Sequence, residues 1–238
     1  MIEPVYDIDG ITLYRSDCRE ALPRLPAPDL ILTDPQYQLG NGKRATTMNA
    51  KANRGRNVLK GTVTVPKDWG TLKGDEKPFD PDFLLGYPKV ILWGAIHYAS
   101  RLPNSTSWLI WDKRDGVASD DNADAEMAWS NIGGPARIHR QLWKGICRAG
   151  EENIAIQGDK YHPFQKPVAL MEWCIKLSRL ERGALVVDPY AGSGTTLVAA
   201  KRLGMRGIGI EIEEKYIAIT IKRLSQTTIF QEMERSRL

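Results

Sequence analysis

The sequence has no apolar run approaching the roughly twenty residues of a membrane-spanning helix, and Met1-Ile-Glu-Pro4 lacks the basic-then-apolar start of a secretory signal. Neither membrane insertion nor export is therefore expected, and a cytoplasm is the expected location. Cysteine is scarce: Cys18, Cys147 and Cys174 are three, and none falls in a Cys-x-x-Cys pair. That count fits a reducing compartment and argues against a structural zinc site. His97, His139 and His162 are equally scattered, so no metal site is expected. Two phosphate-binding patterns are also missing. After Gly192 and Gly194 the third glycine of the dinucleotide fingerprint is replaced by Leu197, and no Gly-Lys-Ser/Thr follows to hold a triphosphate.

What is present suffices for a full core, since 42% of the 238 residues are hydrophobic. The most informative stretch is Asp188-Pro-Tyr-Ala-Gly-Ser-Gly-Thr-Thr196. It follows the buried-strand pattern Gly183-Ala-Leu-Val-Val187 and precedes the helical pattern Leu197–Leu203. Strand, glycine turn and helix form a nucleotide-cradling layout, because glycine lets the backbone approach a ligand and the opening amides add partial positive charge. A second strand, Arg206–Ile210, delivers Glu211 to the same sheet edge, where an acid accepts hydrogen bonds from ribose hydroxyls.

Taken in order, Ile11–Tyr14 alternates like a strand and ends near Asp17, and Cys18–Leu25 reads as a short helix stopped by prolines. Leu30–Leu32 is a buried strand running into Thr33-Asp-Pro-Gln-Tyr37, an acid, a rigid proline and an aromatic at a strand's carboxyl end. Lys89–Gly94 and Ser107–Trp111 are further strands. Asp124–Trp129 is expected to be a helix, Ala136–Trp143 an outer strand, and Lys166-Pro167 the opening of a helix with Leu170, Met171, Cys174 and Ile175 on one face. Strands alternating with helices imply an α/β sandwich with a mostly parallel sheet. The seven tryptophans are expected mostly in the core.

The net charge of +4 is unevenly placed. Between Gly40 and Pro78 stand nine Lys or Arg against three acids, giving +6 there and −2 elsewhere. The segment 40–78 reads as a long excursion, either a solvated loop or an arm that binds a polyanion, because clustered cations neutralise phosphates without a fixed structure of their own.

Thr33-Asp-Pro-Gln-Tyr37, followed by His162-Pro-Phe-Gln-Lys-Pro167 and then Asp188–Thr196, resembles the S-adenosylmethionine-dependent DNA amino-methyltransferases, in the motif order of their beta class. The resemblance spans nearly the whole chain. It implies a single domain over residues 1–238 with a Rossmann-like methyltransferase fold: a mostly parallel sheet, helices on both faces, and circularly permuted motif order. Residues 40–78 become a basic loop insertion and 113–150 a small target-recognition region. By permutation the strand ending at Asp34 lies beside the strand ending at Asp188, so that both acids face one pocket.

The resemblance implies catalysis by Asp34, Pro35 and Tyr37 on the exocyclic amine of adenine, or alternatively cytosine, in a base swung out of double-stranded DNA. An RNA methyltransferase and a binding module weakened at Gln36, where the family usually has a second proline, remain alternatives. S-adenosylmethionine would be bound by Asp17 and Cys18 at the adenine edge, by Glu211 at the ribose, and by Phe164, Lys166, Pro167 and Asp188 around the methionine part. Thr33, Asp34, Tyr190, Ala191, Gly192, Ser193, Gly194, Thr195 and Thr196 complete that set. Asp17 could instead cap the following helix, Asp188 could cap its own, Glu211 could be a surface residue, and Lys166 could dock on a carboxylate. Members of the class are bacterial or phage-encoded and often pair, so a homodimer is expected.

For the basic arm, Lys43, Arg44, Lys51, Arg54 and Arg56 are the phosphate-contacting candidates. Replacing Lys51, Arg54 and Arg56 together with alanine is expected to flatten the slope of log affinity against log salt by a little under one unit per lost contact, equally on substrate and unrelated duplexes. Parallel salt lines for wild type and variant would show a solvated loop.

Overall fold

The structure, a computed structural model, describes residues 2–36, 78–116, 123–144, 147–148 and 165–235. Its strands are β1 (Tyr6–Ile8), β2 (Ile11–Arg15), β3 (Leu30–Thr33), β4 (Val90–Trp93), β5 (Trp108–Asp112), β6 (Ala125–Ser130), β7 (Arg137–Arg140), β8 (Trp143–Lys144), β9 (Cys147–Arg148), β10 (Leu185–Asp188) and β11 (Arg206–Glu211). The helices are α1 (Cys18–Ala21), α2 (Asp82–Leu85), α3 (Val168–Leu177), α4 (Thr195–Arg202) and α5 (Glu214–Arg235).

Nine strands form one sheet in the order β1-β2-β11-β10-β3-β4-β6-β5-β7, and β8 with β9 forms a separate ribbon. From β2 to β4 all neighbours are parallel, and β6 runs antiparallel to both β4 and β5. The permuted order expected from the motifs is present: β10 lies between β11 and β3, with Val186 opposite Leu30 and Val187 opposite Ile31. The central strands are continuous apolar runs because both sheet faces are covered. Ile11, Leu13, Leu30, Leu32, Ile91 and Trp93 point to the face packed by α3 and α4, whereas Ile31, Val90, Leu92, Val187 and Ile208 point to the face carrying α1 and Leu84 of α2.

The helix expected over Asp124–Trp129 is strand β6. Ala, Glu and Met favour a helix locally, but Leu92 and Trp108 both align with Trp129 across the ladder, and that pairing overrides a weak local preference. The expected outer strand divides: β7 occupies the sheet edge, and Trp143 starts the separate ribbon. Cys18–Leu25 likewise shortens to α1 plus a 3-10 turn over Leu22–Arg24, with Pro23 inside that turn. Trp93, Trp111 and Trp129 are buried, as expected of core tryptophans. No helix among the described residues is long and apolar enough to cross a membrane.

Helix α4 packs directly on the backbone of β11 because that strand shows it no side chain. Gly207 and Gly209 alternate with the inward Ile208 and Ile210, and a Cβ at Gly209 would stand 2.6 Å from Leu197 Cδ1 and 2.9 Å from Leu13 Cδ1. Gly209→Val is expected to lower stability by about 1–3 kcal/mol through overpacking. Urea unfolding with an unchanged midpoint would contradict this account.

Candidate active site

The carboxyl ends of β2, β3, β10 and β11 enclose a cavity of about 580 Å³. Asp17 and Cys18 wall it after β2, Asp34 and Gln36 after β3, Tyr190 and Gly192 after β10, and Glu211 ends β11 on it. Phe79 closes a further side and meets Tyr190 edge-on, with ring centroids 5.8 Å apart. The strand that exposes Asp34 thus lies next to the strand that carries the glycine loop.

Asp188 does not stand in the cavity wall but behind it, 4% exposed. Its Oδ1 accepts hydrogen bonds from the Thr33 hydroxyl at 2.6 Å and from the Tyr190 amide at 3.1 Å. Burial pushes its carboxyl up to about 6, against the hydroxyls of Thr196 and Thr33 that favour the anion. Glu211 closes the opposite end: its Oε2 accepts from Gly192 N and its Oε1 from Glu213 N, both at 2.8 Å. Burial raises the Glu211 carboxyl as well, opposed by those amides. Asp17 accepts from Arg19 N at 2.8 Å, so it caps α1 and lines the cavity at once.

The glycine loop is clamped from α5. Gly194 precedes α4 at φ +75, and a Cβ there would collide with the Thr220 side chain. The Thr220 hydroxyl donates to Gly192 O at 3.0 Å, and buried Arg223 donates to Ser193 O, to Ser193 Oγ at 3.2 Å and to Thr195 Oγ1 at 3.1 Å. Ala191, Ser193, Thr195 and Thr196 are buried in the loop's packing.

Asp34 is set by residues far away in sequence. Lys166, just before α3, brings Nζ to 2.5 Å from Asp34 Oδ2 and 2.9 Å from Glu126 Oε2, so it does dock on carboxylates. Asp34 Oδ1 is buried and has no hydrogen-bond partner among the described residues. Burial drives the Asp34 carboxyl above its usual range, Lys166 pulls it down, and Glu126 pushes it up again. Pro35 and Pro167 are buried beside it. Tyr37, Phe164, Lys43, Arg44, Lys51, Arg54 and Arg56 lie outside the described residues, as do most of 40–78 and part of 113–150.

Sequence reasoning missed Glu126, Phe79, Thr220 and Arg223. Glu126 was placed on an expected helix, Phe79 borders the basic segment, and the pattern assigned no element to α5. Among the described residues no three of His, Cys, Asp and Glu cluster as metal ligands would.

A permuted, mostly parallel sheet with a glycine loop and an acid at adjoining strand ends defines a Rossmann-like methyltransferase. The chain belongs to the DNA methylase family of N6 and N4 amino-methyltransferases, whose profile matches residues 90–222, more than half of the chain. These enzymes use S-adenosylmethionine. Two type II methyltransferases are similar over their length: M2.LlaDCHI of Lactococcus lactis subsp. cremoris, 26% identical over 95% of this chain and 93% of that protein, and M2.DpnII of Streptococcus pneumoniae, 27% identical over 94% and 93%. Among solved structures, the M1.HpyAVI–SAM complex superposes with a TM-score of 0.54, at 21% identity, over 90% of this chain and 98% of that one. The cytosine-N4-specific PvuII DNA methyltransferase gives 0.54 at 16% identity over 93% and 89%. These two likenesses establish the fold.

The raised Asp188 carboxyl has a consequence for the ligand-free protein. Between 3.8 and about 6 the folded protein keeps a proton that the unfolded chain has lost. Stability therefore falls as pH rises through that window. Asp188→Asn is expected to remove this part of the slope in urea unfolding at pH 4 to 7; an identical slope in the variant would refute the assignment.

Proposed function

We propose that the protein methylates the 6-amino group of adenine in double-stranded DNA, on a base swung out of the helix. The observation that carries this reading is the buried Asp34 Oδ1, at the end of β3 and beside the glycine loop, which has no hydrogen-bond partner among the described residues. An unsatisfied buried carboxylate oxygen is costly unless a donor arrives, and an exocyclic amine is such a donor.

The cavity suits S-adenosylmethionine. Its volume of about 580 Å³ falls within the range of small-molecule sites, and the Asp17 and Glu211 carboxylates stand where hydroxyl and amine donors of the nucleoside would need acceptors. Phe79 and Tyr190 offer aromatic edges to a purine. Asp188, buried and elevated, is poised to gain from an ammonium approaching through the loop; by the resemblance, Lys166, Pro167 and Phe164 would border the methionine part. The bound cofactor supplies an electrophilic methyl group on a sulfonium.

The chain's own residues make the amine nucleophilic. Its lone pair is delocalised into the base, and two acceptors, Asp34 Oδ1 and a backbone carbonyl beside Pro35, favour the tetrahedral amine and aim that lone pair. With the cofactor bound, its methyl group would replace one N–H proton of the amine, and the Asp34 carboxylate would accept that proton, leaving a secondary amine and a thioether. Tyr37 would stack on the extruded base, worth roughly 1–3 kcal/mol. An aspartate opening the catalytic motif leans towards adenine, where serine is common for cytosine. The basic segment 40–78 and the region 113–150 are the proposed DNA-facing parts of a single catalytic domain that acts in a bacterial or phage-infected cytoplasm and pairs with a second copy.

Asp34→Ala is expected to abolish methyl transfer while lowering cofactor affinity, measured by calorimetry, far less than turnover, because its proposed partner in the reaction is the amine. Mass spectrometry of nucleosides from DNA treated with wild type is expected to yield N6-methyladenine. Retained turnover in Asp34→Ala would sink the mechanism, and N4-methylcytosine as product would reassign the base.

A further inference from the structure

Glu126 belongs to none of the three motifs, yet it sits at the centre of the charges around Asp34. Its Oε1 accepts from Lys113 Nζ at 3.0 Å, and its Oε2 stands 2.9 Å from Lys166 Nζ. Lys166 in turn reaches Asp34 Oδ2, so Lys113, Glu126, Lys166 and Asp34 form a row of alternating charge that ends at Asp34 Oδ1, which has no hydrogen-bond partner among the described residues. The Lys166 side chain is only 6% exposed and that of Glu126 27%, so water screens the row weakly.

We propose that Glu126 is a positioning residue for methyl transfer: it anchors Lys166 on Asp34 Oδ2, leaves Oδ1 to the target amine, and remains the counterion of Lys166 when Asp34 takes up the released proton. The inference rests on the reading of Asp34 as the amine's acceptor. Its physical basis is charge balance in a buried site. If Asp34 were the sole partner of Lys166, protonating it would strand a buried ammonium, a change that strongly disfavours the proton transfer. With Glu126 in place the ammonium keeps a carboxylate throughout the cycle.

Among the described residues, the neighbouring charged groups are otherwise engaged. Asp188 at the end of β10 is a second carboxylate that interacts with Asp34, and it is engaged by Thr33 and the Tyr190 amide. His97, in the turn after β4, senses both Glu126 and Lys166 and is held neutral-leaning by its partial burial. Lys113 faces Glu126 from the end of β5 and steadies it in the ionised state; burial opposes that state, but the two ammonium groups hold the Glu126 carboxyl down to about 2.

The test uses the full chain with Glu126→Gln, Glu126→Asp and Lys113→Gln. Carboxyl carbon NMR follows the titration of Asp34 in the ligand-free protein, and single-turnover methyl transfer to a substrate duplex is measured across pH. Removing the negative charge in Glu126→Gln is expected to lower the Asp34 midpoint and the acid limb of the rate by about half a pH unit or more, and to slow the plateau roughly tenfold. Glu126→Asp keeps the charge and is expected to hold the midpoint in place. Lys113→Gln strengthens the negative field at Asp34 and is expected to move both readouts the opposite way, which keeps the proposal testable if Glu126→Gln folds poorly. Unshifted midpoints in the folded variants, or shifts of the same sign for Glu126→Gln and Lys113→Gln, would overturn it. Loss of the earlier reading has a separate signature, since turnover surviving in Asp34→Ala discards the acceptor role whatever Glu126 does.

Discussion

The hydrogen bond from the Thr33 hydroxyl to Asp188 Oδ1 ties together two strand ends that are 155 residues apart in sequence. Both partners are buried, so the bond is made in a medium where an unpaired hydroxyl or carboxylate would be heavily penalised. Its geometry fixes the next residue on each strand. Asp34 leaves β3 towards the cavity, while Pro189 and Tyr190 leave β10 to begin the glycine loop. A slip of one residue between β3 and β10 would turn Thr33 to the opposite face, and the proposed catalytic and cofactor segments would no longer share an edge.

Three carboxyls around this bond, on Asp34, Asp188 and Glu211, are all raised by burial. Such a cluster is unfavourable for the ligand-free fold and becomes favourable when donors and positive charge enter. The site is thus tuned for ligands that carry a cation and several N–H or O–H groups. The rest of the fold holds it open: α5 fixes the glycine loop through Thr220 and Arg223, and Lys166 with Glu126 steadies Asp34.

Most of the sheet was legible because its central strands are short apolar runs ended by acids and glycines. Leu30–Leu32, Lys89–Gly94 and Gly183–Val187 announce buried strands, and the motif order predicts that β10 sits between β11 and β3. The misreading of Ala125–Ser130 has a physical origin, since its helix-favouring residues are held as strand by two neighbours whose identity no local window contains. Glu126 was invisible for the same reason. Its meaning comes from Lys113 and Lys166, which approach from a strand end and from a helix start. Arg223 and Thr220 were equally silent, because one turn of a mixed polar and apolar helix carries no mark of the loop it grips.

The interleaving of chain segments in the sheet has a kinetic side. β2 pairs with β11 and β3 with β10, so the middle of the sheet is built from contacts between distant parts of the chain. Loop closure must precede the reward of strand pairing, and high contact order slows folding. During synthesis, β2 and β3 emerge long before the strands that fill the gap between them. For that interval the edges of β2 and β3 that later pair with β11 and β10 lack those neighbours, and an apolar strand with open backbone groups is a template for mispairing. That transient exposure follows from the same permutation that places the acid of one motif beside the glycines of another.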